Sequence, residues 1–177
     1  MRYPLLEIAS AVLFGAVAYV EQMDPTAVVT TSLILWALLL IAIIDIRHQR
    51  IPDMLTGIVC AAAVVWAMSA GAITSAVGGA SLCVAWFGAQ WFLSGGRWVG
   101  SGDVLLAGAL GVWLGIVSSV GMLLLAYVLG VAWVVVMLIA GQIRIQKSAH
   151  VAFGPFLALA AAIVHFGGMD WYLRMIF

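Results

Sequence analysis

Seven long apolar runs divide this 177-residue sequence, and each is close to the length that crosses a membrane as a helix. A transmembrane helix needs about 20 apolar residues to span a hydrocarbon core of about 30 Å. The composition agrees, because 66% of the residues are hydrophobic and only 8% are charged, against about 25% charged in soluble domains. The runs cover approximately residues 4–20, 26–44, 54–69, 72–93, 104–118, 122–140 and 151–166. The sequence therefore predicts an all-α fold: a polytopic membrane helix bundle of about seven transmembrane helices, forming one domain over residues 1–177.

The fifth and sixth runs are almost continuous, and their predicted boundary is the polar stretch at Ser118, Ser119 and Gly121. Glycines at Gly108, Gly111 and Gly115 in the fifth run are typical of close packing between membrane helices.

The basic residues sort to one side of these predicted crossings. With a cytoplasmic N-terminus, only Arg174 falls on the outer side. The residues on the cytoplasmic side are Arg2, Arg47, Arg50, Arg97, Arg144 and Lys147. This asymmetry follows the positive-inside rule and predicts a multi-pass protein with its N-terminus in the cytoplasm. The formal net charge is zero, so no nucleic-acid partner is expected.

Two carboxylates lie at the ends of predicted spans. Asp45 ends the second run, and Asp103 opens the fifth after a glycine-rich stretch. An ionisable group at the bilayer centre costs roughly 2.5–3.5 kcal/mol on insertion scales, so an acid at this depth is a functional-site hypothesis. Two crossings separate the two acids, which returns the chain to the same face. A pair of adjacent carboxyl groups shares one proton, and such a pair can hydrolyse a peptide bond.

Structural roles are open alternatives for each of these acids. Asp103 could cap the helix that it precedes, and Asp45 could pair with Arg47 or Arg50. Asp53 follows Pro52 at the start of a span, where capping is favoured over a catalytic role. A proton-coupled transporter would use the acids as a relay, and a non-enzymatic membrane subunit of a secretion or pilus machine would use them as relay groups or helix caps.

Four stretches together resemble a known family. Residues 45–53 read DIRHQRIPD, residues 100–103 read GSGD, residues 2–7 read RYPLLE and residues 153–160 read FGPFLALA. In this order they resemble the bacterial type IV prepilin peptidases, which are aspartyl proteases with a GxGD motif. A presenilin-like GxGD protease is disfavoured because no PAL tripeptide occurs in the C-terminal third.

The resemblance implies an intramembrane-type aspartyl endopeptidase of the bacterial cytoplasmic membrane, with Asp45 and Asp103 as its catalytic dyad. Its partners would be membrane lipid and the helices of type IV prepilins or type II secretion pseudopilins, whose leader it would remove at the cytoplasmic face. The family's cleavage site precedes the apolar N-terminal helix of the mature subunit. Residues expected to support the site or contact substrate are Gly100, Gly102, Asp53 and Glu7.

Many members of that family also carry a domain with paired cysteines, associated with zinc and with N-methylation of the new amino terminus. This sequence has only Cys60 and Cys83, each alone in an apolar run. We therefore expect no metal and no cofactor, and the sequence gives no reason to expect N-methyltransferase activity.

Overall fold

The computed structural model describes the backbone of residues 14–19, 21, 24–141 and 152–176, and the side chains of the same residues up to 167. Their regular secondary structure is entirely α-helical, as predicted. Residues 14–19 form a short helical segment, and the longer helices are α1 (Pro25–His48), α2 (Asp53–Ser69), α3 (Ile73–Ser94), α4 (Ser101–Ile139) and α5 (Gly154–Ile176). The first predicted span lies mostly outside the described residues.

Local capping chemistry sets the limits of α1. Its N-cap is Asp24, whose carboxylate accepts the N–H of Thr26 at 2.9 Å, and Pro25 occupies the first helical position, where no intrahelical donor is needed. The helix ends at Gln49, which adopts the left-handed conformation with φ of 50°, a common way of terminating a helix. The predicted second span, 26–44, falls inside these limits.

Gly115 interrupts α4. Its φ and ψ are 72° and 178°, which is non-helical backbone that a residue without Cβ adopts readily. The freed N–H of Ile116 donates to the Ser75 hydroxyl at 3.2 Å. The predicted boundary at Ser118, Ser119 and Gly121 is therefore wrong, because the break lies at Gly115. We call residues 101–114 α4a and residues 116–139 α4b.

Contacts with α3 show that the chain reverses at this break. Gly79 and Gly111 meet backbone to backbone, and Val104 lies near Gly88, so α4a runs antiparallel to α3. From Ile116, beside Ser75, α4b returns to Tyr127, whose hydroxyl donates to Gln90 at 3.0 Å. Both halves of α4 thus lie along α3 and run in opposite directions. The glycine-rich face of α4a makes the close contact predicted for it.

Within the described residues, three helices are long and apolar enough to cross a membrane, namely α1, α3 and α4. The apolar helix α2 and the segment 154–167 of α5 are shorter. The length and apolar composition of these helices indicate a membrane protein. The count of about seven crossings stays a prediction.

A polar cluster connects several elements at one end of the bundle. We call it the Glu21 cluster, and it consists of Glu21, Thr31 and His165. Glu21 Oε1 lies 2.8 Å from His165 Nε2 and accepts the Thr31 hydroxyl at 2.7 Å. The fully buried Trp113 stacks on the His165 ring at a centroid distance of 4.3 Å. The cluster joins the segment before α1 to α1, α4a and α5.

The Glu21 cluster predicts a specific acid dependence of stability. Burial acts to raise the pKa of Glu21, but the hydrogen bonds from His165 and Thr31 outweigh it and hold that pKa below its ordinary value of 4.5. A carboxyl group whose pKa is lowered by folding stabilises the protein at pH values above its ordinary pKa. This contribution is lost as the pH falls through the lowered pKa of the folded state. We expect Glu21→Gln to lower the free energy of unfolding by about 1.5–3 kcal/mol at neutral pH and to remove part of the loss below pH 4.5.

Thermal unfolding in detergent between about pH 3 and about pH 7 measures this effect, because this range brackets the ordinary pKa of a glutamate. The matched control is Asp24→Asn, because asparagine caps a helix about as well as aspartate. An acid dependence of Glu21→Gln equal to that of the unmodified protein would contradict the assignment.

Candidate active site

Asp45 lies one turn before the end of α1 and is only 5% exposed. Its carbonyl oxygen accepts the N–H of Gln49 at 2.8 Å, the bond that closes the helix. Its side-chain Oδ2 accepts the N–H of Gly154, at the first position of α5, at 2.9 Å. Two helices distant in sequence thus meet at this carboxylate.

Asp103 is the third residue of α4. Its Oδ2 accepts the N–H of Gly100, the N-cap residue, at 3.1 Å, which is one half of a capping box. Its Oδ1 is buried and has no hydrogen-bond partner among the described residues. The capping role considered for Asp103 is therefore real, but it occupies one of the two oxygens and leaves the other available.

Packing between the loop after α1 and the first turn of α4 brings the two acids near each other. Gly102 lies against Ile51, so that a Cβ on Gly102 would lie only 2.9 Å from the Ile51 Cβ. This contact places the chain that follows Asp45 directly on the chain that precedes Asp103. The two carboxyl groups are close enough for their charges to interact.

The alternative partners of Asp45 are not engaged. Within residues 14–19, 21, 24–141 and 152–167, the one ion pair joins His165 to Glu21, so neither Arg47 nor Arg50 pairs with Asp45. Arg97 turns back on its own loop, donating through Nε to the Ser94 carbonyl at 2.9 Å. No described cation therefore neutralises the acid pair.

The other expected site residues have different positions. Gly100 is the N-cap of α4, and Gly102 lies in its first turn beside Asp103. Asp53 is the exposed first residue of α2 and makes no capping hydrogen bond, so its capping role is not seen. It shares an open pocket with His48 and Arg50. Glu7 lies outside the described residues.

Gly154 contacts Asp45 and is not among the site residues predicted from the sequence. A Cβ at this position would lie 2.7 Å from Oδ2 of Asp45, so the approach requires glycine. The only available signal was the FGPF stretch, since a backbone N–H leaves no side-chain trace in a sequence.

An aromatic cluster adjoins Gly154. Phe153 packs against Phe87 at a centroid distance of 5.8 Å and against Tyr127 at 5.3 Å. An apolar groove runs beside this cluster. It is lined by Tyr127, Gly130, Val131, Val134, Val135 and Phe153.

The arrangement is suited to acid–base chemistry. Two carboxyl groups held close enough to share one proton can act together, one as a general base and the other as a general acid. No group of three His, Cys, Asp or Glu side chains within the described part of the chain converges as metal ligands would.

Proteins from several bacteria are similar to this chain over most of its length. A prepilin leader peptidase/N-methyltransferase of Neisseria gonorrhoeae is 33% identical over 93% of this chain and 57% of its own length. Proteins of the same name from Burkholderia pseudomallei and Aeromonas hydrophila are 32% and 31% identical, over 98% and 97% of this chain and 57% and 61% of their own lengths. The chain thus spans about three fifths of these relatives. No solved structure matches it.

The family comparison covers both acids and the helices between them. Residues 32–135, more than half of the chain, match the model of the type IV leader peptidase family. This chain belongs to the type IV leader peptidase family.

Proposed function

We propose that this protein is an aspartyl endopeptidase that removes the leader peptide of type IV prepilins or of type II secretion pseudopilins. The observation that carries the proposal is the convergence of Asp45 and Asp103 from separate helices, with the buried Oδ1 of Asp103 unpaired among the described residues. The names of the relatives support the substrate class. The proposal is limited to peptide hydrolysis, for which an acid pair supplies both the general base and the general acid.

The reaction uses the shared proton. The ionised carboxyl group takes a proton from a water molecule, and the oxygen of that water attacks the scissile carbonyl carbon. At the same time the protonated carboxyl group donates its proton to the carbonyl oxygen. The resulting gem-diol then collapses as its C–N bond breaks. The carboxyl group that is now ionised takes one hydroxyl proton, and the carboxyl group that is now protonated donates its proton to the leaving nitrogen. The pair finishes with one proton, as it began.

The apolar groove beside Phe153 is suited to the substrate. Phe153 directly precedes Gly154, which bonds Asp45, so the groove begins next to the acid pair. In the proposed complex, the apolar helix that follows the scissile bond lies along this groove within the bilayer.

Replacing either acid by its amide tests the mechanism. We expect Asp45→Asn and Asp103→Asn each to lower leader cleavage by about 10²- to 10⁴-fold, because an amide side chain cannot act as a general acid or a general base. Asparagine at position 103 still offers an oxygen to the Gly100 N–H, so the helix cap is kept. Cleavage of a purified prepilin, followed on a gel, measures the loss.

The matched control for these variants is Asp24→Asn, which makes the same chemical change at the N-cap of α1 and should cleave normally. Full cleavage by either active-site amide would instead favour the acids as helix caps. Proton flux in liposomes that is lost in the same variants, without peptide cleavage, would favour the transporter.

The shared proton also predicts a bell-shaped pH profile. Cleavage should need one ionised and one protonated carboxyl group, so kcat should fall by about tenfold per pH unit on each side of its optimum. Initial rates with a saturating prepilin peptide across the stable pH range measure this profile. A flat rate from mildly acidic to alkaline pH would contradict the dyad.

We further propose that about seven helices cross the bacterial cytoplasmic membrane, with the N-terminus and the acid pair at the cytoplasmic face. The positions of the basic residues support this orientation, since Arg47, Arg50 and Arg97 all flank the acid pair. The acidic Glu21 and Asp24 lie towards the opposite end, with the Glu21 cluster.

Labelling of single cysteines tests the orientation. Ser101→Cys and Ser69→Cys make the same change at exposed positions next to the acid pair and at the end of α2, in a background that lacks Cys60 and Cys83. A membrane-impermeant maleimide should label position 69 in spheroplasts and position 101 only after the membrane is opened. The reverse pattern would overturn the orientation.

A further inference from the structure

We propose that Gly154 is a positioning residue that holds the Asp45 carboxylate in its reactive orientation through a backbone hydrogen bond. The inference rests on the proposed function. It concerns a group that does not itself contact substrate, and it explains why glycine stands at the start of α5.

The hydrogen bond comes from a donor that has no partner inside its own helix. The first N–H groups of an α-helix lack intrahelical acceptors, and they carry the positive end of the helix dipole. At the start of α5 this donor points to Asp45 Oδ2, with a buried N–O distance of 2.9 Å. Of the described residues, Gly154 is the one that donates to the Asp45 side chain.

The contact leaves no room for a side chain. A Cβ on Gly154 would lie 2.7 Å from Oδ2, 3.3 Å from Cγ and 3.5 Å from Cβ of Asp45. The preceding residue, Phe153, packs against the rings of both Phe87 and Tyr127. Because this packing fixes the chain before Gly154, a larger residue must displace the carboxylate.

Among the described residues, no other charged group supplies the same restraint. From α4, the group that faces Asp45 is Asp103, whose like charge repels it. Arg47, His48 and Arg50 follow Asp45 on its own chain segment, Asp53 begins α2, and all four are exposed and form no ion pair with it. Of the contacts made by the described residues, the hydrogen bond from α5 is therefore the one that orients Asp45.

The first test compares two identical substitutions. Gly154→Ala should lower kcat for prepilin cleavage by about 10- to 100-fold, the range expected for losing a hydrogen bond to a charged group, with little change in KM. Gly57→Ala is the matched control, because Gly57 is helical and has nothing within 4 Å of its added Cβ. Circular dichroism and thermal unfolding in detergent show whether each variant is folded.

The second test removes the donor and adds no side chain. Cell-free synthesis with glycolic acid in place of Gly154 converts the amide to an ester, which lacks the N–H. A hydrogen bond to a carboxylate favours its ionised form, so its loss should lower kcat and move the acidic limb of the pH profile to higher pH. A purely structural role would not move that limb, and this test decides the matter if Gly154→Ala fails to fold.

The outcomes separate this inference from the proposed function. If Asp45→Asn is inactive but the ester variant keeps the normal kcat and pH profile, the positioning role is wrong and the dyad stands. If Asp45→Asn cleaves normally, the dyad itself is wrong. A lower kcat with a shifted acidic limb in the ester variant supports the role of Gly154.

Discussion

The structure depends on holding two carboxyl groups, within reach of each other's charge, at one end of an apolar bundle. Taking a charged group out of water is costly unless hydrogen bonds replace those of the solvent. Among the described residues these bonds come from the backbone rather than from basic side chains: Gly100 donates to Asp103, and Gly154 donates to Asp45. A backbone donor carries no full charge, so it orients each acid without neutralising it.

This requirement explains the positions of the glycines and helix ends around the site. Gly102 allows the Ile51 segment to approach, and the left-handed Gln49 ends α1 just beyond Asp45. Each acid lies within one turn of a helix end, where backbone groups are still unpaired. The site is therefore built from the ends of three helices.

Much of the fold follows from the apolar pattern, as the spans that became α1, α2 and α3 show. The reversal within α4 could not be placed in the same way. Ser118 and Ser119 look like the polar break in an apolar run, but the Ser119 hydroxyl donates to the Gly115 carbonyl at 2.6 Å, and so needs no water. Gly115 looked like one more packing glycine, because φ is not written in a sequence.

The meeting of Asp45 and Asp103 at one end of the bundle agrees with the alternation of predicted crossings. Their restraint by Gly154 could not be foreseen, since 109 residues separate donor and acceptor and the donor is a main-chain group. His165 and Glu21 are 144 residues apart. For both pairs the sequence lacks the local spacing from which a contact can be inferred.

The position of Gly115 has a consequence for the surrounding lipid. Twelve helical residues from Asp103 to the reversal rise only about 18 Å, whereas a bilayer core is about 30 Å thick. A hydrophobic length this short is accommodated by thinning of the adjacent leaflets, at a modest elastic cost. Such local thinning beside α4a would shorten the path by which water reaches the acid pair, and the proposed hydrolysis consumes water.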